Sequence, residues 1–550
     1  MGLFIKKPLS LLQSEAANEG KGSLRRVLGP IGLIAFGVGV IIGAGLFSIT
    51  GTVAAEYSGP AITLSFAIAA IGCAFAGLCY AEFASMIPVA GSAYTYSYAT
   101  MGELIAWIIG WDLVLEYTVA AITVSISWSQ YFVKFLSSLG ISLPQEFTAC
   151  PWDGGIANLP AVAIVIIMSL FLIRGTKESS FVNDCIVFLK VSVIVVFVAL
   201  GWKYIRAENY VPFLPPNTGT LGEFGWSGVF RGAAIVFFAF LGFDAVSTAA
   251  QETRNPKRDM PLGILLSLLI CTILYMAFGH VMTGVAHYTD FAGQEGIAPV
   301  AIAIDKMGHI GANGVVIPDY PWLNKAVVLA ILFGYCSVIL VLLMAQSRIF
   351  LSMSHDGLLP KLFSKLHKRY RTPAANNLVC MTVISLLAAF VPARVAGEMT
   401  SIGTLFAFTL VCAGVLVVRK TMPHIPRTFR TPFVPLVPVA GIVTCLSLMI
   451  FLPADTWFRL VLWMLIGLDV YSHYGIKNSA LEHGAMQRKG TTILNLLALA
   501  LSILCIITGF WHQQTTGWEA DKTILCIAIV AGLGHIAYYV TRVWKHTTAI

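Results

Sequence analysis

Four glycines, Gly37, Gly39, Gly43 and Gly45, crowd the middle of the apolar run GPIGLIAFGVGVIIGAGLFSITG. Glycine costs about 1 kcal/mol per residue in a helix interior, so such a cluster marks either close helix packing or a break. A second run, VFFAFLGFDAVSTAAQET, carries Gly242 and Asp244 near its centre. If the first run unwinds near Ile42 to Gly45, a half-helix begins there, and its free N–H groups and positive dipole end favour a carboxylate. The second run would enter from the opposite side and end a half-helix near Phe238 to Leu241, offering free carbonyls to an ammonium. Two such poles suit an α-amino acid. Peptide edges supply both, so backbone recognition needs no ionised side chain.

Charged residues inside apolar runs are a second source of chemistry. Lys190, in CIVFLKVSVIVVF, lies about eleven residues into its segment, or about 16 Å at 1.5 Å per residue. That is close to mid-bilayer, leaving snorkelling, structural pairing or a functional role. Glu116 lies four residues after Asp112 on the same helix face. It could attract a cationic side chain or pair within the bundle. Asp244 and Glu82 read as structural, bonded to backbone near the breaks. His280 and His287 read as packed or interfacial. No nucleotide loop, metal motif or nucleophile constellation appears, so we expect no enzyme activity, cofactor or metal.

The elements that must position these residues are membrane spans. Of 550 residues, 57% are hydrophobic and 11% charged, against about 25% charged in a soluble domain; the mean hydropathy is +0.81. Runs long enough to span number fourteen, from 30–55 to 522–544. With the amino terminus inside, the cytoplasmic segments collect 24 of the 35 Lys and Arg residues, as the positive-inside rule requires. Both termini are then cytoplasmic. The net charge of +8 is this loop bias, and no basic soluble face exists for nucleic acid. Met1 to Gly29 contains no signal peptide. Of the cysteines only Cys150 sits clearly in a loop, and no disulfide or zinc spacing appears.

Interruptions in segments one and six, five spans apart, point to an inverted-repeat carrier. The expected fold is all-α and polytopic. A first repeat occupies 30–204 and a second 228–419; additional helices occupy 434–544, with cytoplasmic ends at 1–29 and 545–550.

At these residues the sequence resembles the amino acid, polyamine and organocation superfamily, most closely its cationic amino acid transporter branch and bacterial relatives. The resemblance is carried in order by GVGVIIGAGLFSITG, IPVAGSAYTYSYATMGELIAWIIGWDLVLEY, FFAFLGFDAVSTAAQETRNPKRDMPLGI and QSRIFLSMSHDGLLP, and spans roughly residues 25 to 475. It implies a leucine-transporter-like fold with broken helices one and six. By this likeness the substrate carboxylate meets the amides around Gly43, Ala44 and Gly45, and the ammonium meets the carbonyls of Ile41, Phe238, Ala239 and Leu241. Lys190 would stand where sodium-coupled relatives hold a cation, with Tyr275 as its neighbour. A desolvated lysine can exchange its proton, so Lys190 could couple transport to protons; held charged, it would suit an exchanger or uniporter. Tyr335 falls where the likeness places a side-chain pocket wall, and its bulk argues against long cationic substrates. The pair Gln251-Glu252 replaces the family's common Glu-Glu.

The expected function is secondary transport of L-α-amino acids by alternating access, proton-coupled. The alternatives are an exchanger or uniporter of cationic amino acids and, from another class, a non-transporting sensor, for which the ends are short. The expected partners are a small amino acid, a proton and the lipid bilayer of a plasma or bacterial inner membrane. The sequence names no protein partner and no dimer.

Overall fold

The computed structural model of the chain describes residues 2–8, 28–87, 91–174, 180–248, 253–292, 299–310, 316–368, 370, 372–481, 487–518 and 522–548. Apolar segments in lipid must satisfy every backbone N–H and C=O internally, and each predicted segment carries a helix. Pro30, Pro256 and Pro321 open three of them at the position where proline's missing N–H costs nothing. Among the described residues, nine helices are long and apolar enough to cross a membrane. Leu436–Ile450 and Ala454–Asn478, bent by 115°, make a tenth candidate if taken as one span. Pro30–Ile41, Leu159–Arg174 and Ala374–Phe390 are shorter apolar helices. Among the described residues the regular structure is helical apart from two short antiparallel strands, Gly308–Ile310 and Val316–Pro318, in which His309 faces Ile317, and one isolated bridge between Leu28 and Thr253. The Gln251-Glu252 pair lies outside the described residues.

The packing relates helices five segments apart. Ile62–Met86 packs on Pro256–Val285, Glu103–Ser138 on Pro321–His355, and Leu159–Arg174 on Ala374–Phe390. The two interrupted segments touch each other in the middle of this set, the turn Gly45–Ile49 against Phe237–Phe240. Beyond it, Ala454–Val470 is tied to Glu103–Ser138 by a reciprocal pair: Trp111 Nε1 donates to Trp463 O at 2.9 Å and Trp463 Nε1 to Trp111 O at 3.0 Å.

Glu82 is structural and bonds backbone, as expected, but at the end of the bundle and with arginine partners rather than at the breaks. Its carboxylate accepts from Arg419 Nε and Nη2, each at 2.9 Å, and from the Thr431 amide at 2.8 Å, closing the end of the bundle where Ala393–Thr421 stops. Residues 2–8 close the same region. Lys7 Nζ reaches Asp356 Oδ1 at 2.8 Å, Tyr94 donates to the other oxygen at 2.7 Å, and the Lys7 amide bonds Tyr98 O.

Candidate functional site

The first break begins where Pro30–Ile41 ends. Ile42 leaves the helix with φ −73° and ψ 101°, its amide still bonded to Val38 O. The chain turns helical again at once, the Leu46 and Phe47 amides both reaching Gly43 O, at 3.2 and 3.3 Å. These are the first amides with an acceptor inside the new half-helix, so those of Gly43, Ala44 and Gly45 are its orphaned N-terminal donors. Ile42 and Ala44 are fully buried. The second break follows Gly225–Val236: a tight turn over Phe237–Phe240, Leu241 at ψ 140°, Gly242 at φ 111°, then Phe243–Thr248. Gly242 is required twice over, by its positive φ and because a Cβ there would lie 2.5 Å from Val40 Cγ1. Asp244 Oδ1 accepts the Gly242 amide at 3.2 Å, and Tyr117 donates to its other oxygen. Asp244 therefore holds the turn, as expected.

The breaks meet backbone to backbone. A Cβ on Gly45 would fall 2.3 Å from Ala239 Cα, whereas one on Gly43 would meet nothing nearer than Val338 at 3.6 Å. Gly45 is thus a packing glycine, whereas Gly43 leaves space for a single methyl group.

Tyr275 ties the breaks together, its hydroxyl lying 2.8 Å from Ile41 O and 2.9 Å from Ala239 O. One hydroxyl has one proton, so the two carbonyls share it. Lys190 reaches the first break from the other side, its Nζ 2.8 Å from Gly39 O and 3.2 Å from Ile42 O. It is 1% exposed, so it does not snorkel. Gly334 admits its stem, since a Cβ there would fall 2.7 Å from Lys190 Cε. Lys190 and Tyr275 are not bonded to each other; they grip the same unwound stretch from two helices. Three of the four carbonyls expected to face an ammonium already accept a bond, Ile41 and Ala239 from Tyr275 and Phe238 from the Leu241 amide at 3.1 Å. A carbonyl has a second lone pair, which is what remains for a ligand.

Tyr335 is fully buried and bonds Ser48 Oγ at 3.0 Å. Its ring stands edge-on to Tyr131 at 5.7 Å and tilted to Phe47 at 6.3 Å, and Tyr131 donates to Phe47 O at 2.5 Å. These side chains form a cover above the first break. Glu116 is fully buried with Asp112, and all four of their oxygens are without a hydrogen-bond partner. They face Gly403, whose added Cβ would come within 3.4 Å of Asp112 Oδ1.

Sequence reasoning missed the cover, because Ser48 and Tyr131 carry no signal in runs of ordinary span residues. It also missed a cavity of about 410 Å³ beyond Ser48, lined by residues including Thr52, Gln130, Asn158, Arg394 and Glu398.

Membrane-length helices with two interrupted segments pressed together define a polytopic helical transporter of small solutes. The chain belongs to the amino acid permease family, whose model matches residues 28–470, within the amino acid, polyamine and organocation superfamily. It is similar to a branched-chain amino acid permease of Bacillus subtilis, 44% identical over 486 residues, covering 87% of this chain and 99% of that one. It is also similar to a methylthioribose transporter of the same organism, at 40% over 482 residues with the same two coverages. A vacuolar cationic amino acid transporter of Arabidopsis thaliana is 36% identical over 409 residues, 74% of this chain and 65% of that protein.

Proposed function

We propose that this permease is a proton-coupled secondary carrier of neutral L-α-amino acids working by alternating access. The carrying observation is the contact of Gly45 with Ala239, which brings orphaned amides and half-engaged carbonyls to one point, one pole for a carboxylate and one for an ammonium. Gly43, Ala44 and Gly45 receive the carboxylate; Ile41, Phe238, Ala239 and Leu241 receive the ammonium. Tyr335 walls the side-chain pocket and keeps it short, and the branched-chain permease relative supports aliphatic side chains. Lys190 and Tyr275 couple a proton to the breaks: Lys190 holds Gly39 and Ile42 of the first, and Tyr275 bridges Ile41 of the first and Ala239 of the second, all of it backbone that must move. A cavity on one side of the cover and closure by residues 2–8 are what alternating access expects of a one-sided state.

The same reading carries the topology: fourteen spans, cytoplasmic termini, a plasma or bacterial inner membrane, and inverted repeats at 30–204 and 228–419. The pairing of helices five segments apart supports the repeats. A second reading, exchange or uniport of cationic amino acids, is favoured by the unpartnered oxygens of Asp112 and Glu116, which a cationic side chain could satisfy.

The test is uptake of radiolabelled leucine, lysine and methylthioribose into proteoliposomes holding the pure protein, with and without an inward proton gradient. Gradient-stimulated leucine uptake is expected. Lysine uptake indifferent to the gradient and stimulated by internal lysine selects the second reading, and methylthioribose uptake alone overturns both.

A further inference from the structure

Between Asp356 and Ala374 the chain has to come back to the bilayer. Pro321–His355 has 35 residues, about 52 Å at 1.5 Å per residue, well beyond a hydrocarbon core of about 30 Å. Ala374–Phe390 has 17 residues, about 26 Å, and fits within that core. The connection between them therefore descends from outside the membrane to its surface, on the side that residues 2–8 close.

The connection is firmly held. Asn376 Nδ2, in the first turn of the shorter helix, donates to Phe363 O at 2.9 Å and to Ser347 O at 3.1 Å. The Phe363 ring stacks on Phe350 at 5.3 Å. Ser354 Oγ donates to Pro360 O at 2.8 Å, and Thr372 Oγ1 donates to Ile173 O at 2.8 Å, which lays the end of Leu159–Arg174 alongside. With Phe363 packed inward, Leu362 and Leu366 point out, 52% and 51% exposed, as is Leu378 at 53%, one turn into Ala374–Phe390 on its lipid-facing side. Leucines left in water forfeit their transfer free energy, and contact with acyl chains restores it.

Charge selects among lipids. From Gly357 to Gly397 the sequence has no Asp or Glu, while 361–371 alone holds five Lys and Arg. Lys361, Lys365 and Lys368 are exposed, as is Arg174 on the adjacent helix end, and among the described residues none of the four is ion-paired. Asp356, the last carboxylate before them in the chain, is taken by Lys7 and Tyr94. Unpaired cations beside outward leucines at a membrane surface fit a headgroup of net negative charge. A zwitterionic headgroup offers the same acyl chains without the charge.

We propose that Lys361, Lys365, Lys368 and Arg174 form a binding site for the headgroup of an anionic phospholipid, whose acyl chains cover Leu362 and Leu366. The connection begins at Asp356, where Lys7 and Tyr94 close that end of the bundle, so the bound lipid braces the closure. The site depends on the membrane-spanning helices and not on which solute is carried.

The experiment titrates phosphatidylglycerol or phosphatidylcholine into the detergent-purified full chain, reading retained lipid by native mass spectrometry and the melting temperature by tryptophan fluorescence. The wild type is expected to retain phosphatidylglycerol and to melt higher with it, and to do neither with phosphatidylcholine. A variant combining Lys361→Gln, Lys365→Gln and Lys368→Gln changes only exposed side chains and is expected to fold. It should bind phosphatidylglycerol about a hundredfold more weakly, roughly fivefold for each lysine removed. Lys420→Gln with Arg430→Gln removes two exposed cations around the helix end that Lys6 reaches at Thr421, on the same side, and should leave binding unchanged. Binding by the triple variant equal to the wild type overturns the site. An equal loss in the Lys420 and Arg430 variant overturns it too, by showing that charge anywhere on that side suffices. Stabilisation by inorganic phosphate equal to that by the lipid overturns the phospholipid as its ligand.

Discussion

Lys190 Nζ lies 2.8 Å from the carbonyl oxygen of Gly39, and its second acceptor, Ile42 O at 3.2 Å, lies across the end of the same helix. The side chain therefore spans the last turn of Pro30–Ile41 and the first residue beyond it. Its bonds stand or fall with the unwound geometry, and a proton lost from Nζ weakens the hold on both carbonyls at once.

Replacing Lys190 by Met removes these bonds and leaves two buried carbonyls without a donor, at a cost of about 1–3 kcal/mol. The variant should insert and elute as a single species, while gradient-driven uptake falls to background. Lys190→Arg keeps a charge that is not released, so any uptake it retains should be indifferent to the gradient. Stimulation of that variant equal to the wild type would remove Lys190 from coupling.

Tyr275→Phe tests the other grip. Its ring packs tilted against Phe66 and Phe240 at 5.5 and 5.2 Å, contacts that phenylalanine preserves. Only the shared hydroxyl is lost, leaving Ile41 O and Ala239 O short of a donor. We expect a destabilisation of about 1–3 kcal/mol, read as a lower melting temperature in detergent, together with slower uptake. An unchanged melt with unchanged uptake would mean that the breaks need no tie.

The two glycines of the first break should fail in different ways. At Gly45 a Cβ would lie 2.3 Å from Ala239 Cα and 2.7 Å from its nitrogen, and backbone cannot step aside. Gly45→Ala should cost about 1–3 kcal/mol by overpacking and lower the yield of folded protein. At Gly43 an added Cβ would meet Val338 only in ordinary contact, at 3.6 Å, so Gly43→Ala should fold and insert while its methyl group crowds the space before the orphaned amides. Loss of leucine binding with a normal chromatographic profile is the expected result. Normal binding would falsify the assignment of the carboxylate pole.

Tyr335→Ala removes a fully buried ring and the partner of Ser48. The pocket lengthens, and competition by phenylalanine and lysine should rise against leucine by about 10–200-fold, the discrimination available to an apolar pocket. Ser48→Ala removes the hydrogen bond without enlarging the pocket, so it should leave selectivity alone and speed exchange between the cavity and the site below. A selectivity change in Ser48→Ala as large as in Tyr335→Ala would show that the bond, rather than the ring, sets the pocket.

Much of this architecture is legible without coordinates. The unwinding at Ile42 to Gly45 was readable because several glycines in one apolar run are disfavoured unless the helix is interrupted or closely packed, and the turn at Phe238 to Leu241 from Gly242 and Asp244 at the centre of a second apolar run. The helices themselves were readable from run length, since lipid leaves the backbone no other way to satisfy itself. Glu82 was read rightly as structural but in the wrong place, for the opposite reason. Nothing local indicates that Arg419 and Thr431, over 300 residues away, come to its carboxylate. Glu398 carries no signal in the sequence, and only the fold buries it.

The sequence by itself determined where helices form, where two of them break, and which charged side chains stand in apolar surroundings; all three follow from local composition and from the energetics of backbone and charge in lipid. Only the tertiary structure decided which partners those groups meet. That Gly45 is pressed on Ala239, that Tyr275 bridges Ile41 and Ala239, that Lys190 takes Gly39 and Ile42, and that Asp112 and Glu116 are buried against Gly403 depends on how distant helices are laid side by side. Contacts of this kind are set by packing complementarity over the whole bundle, and no window of sequence contains them.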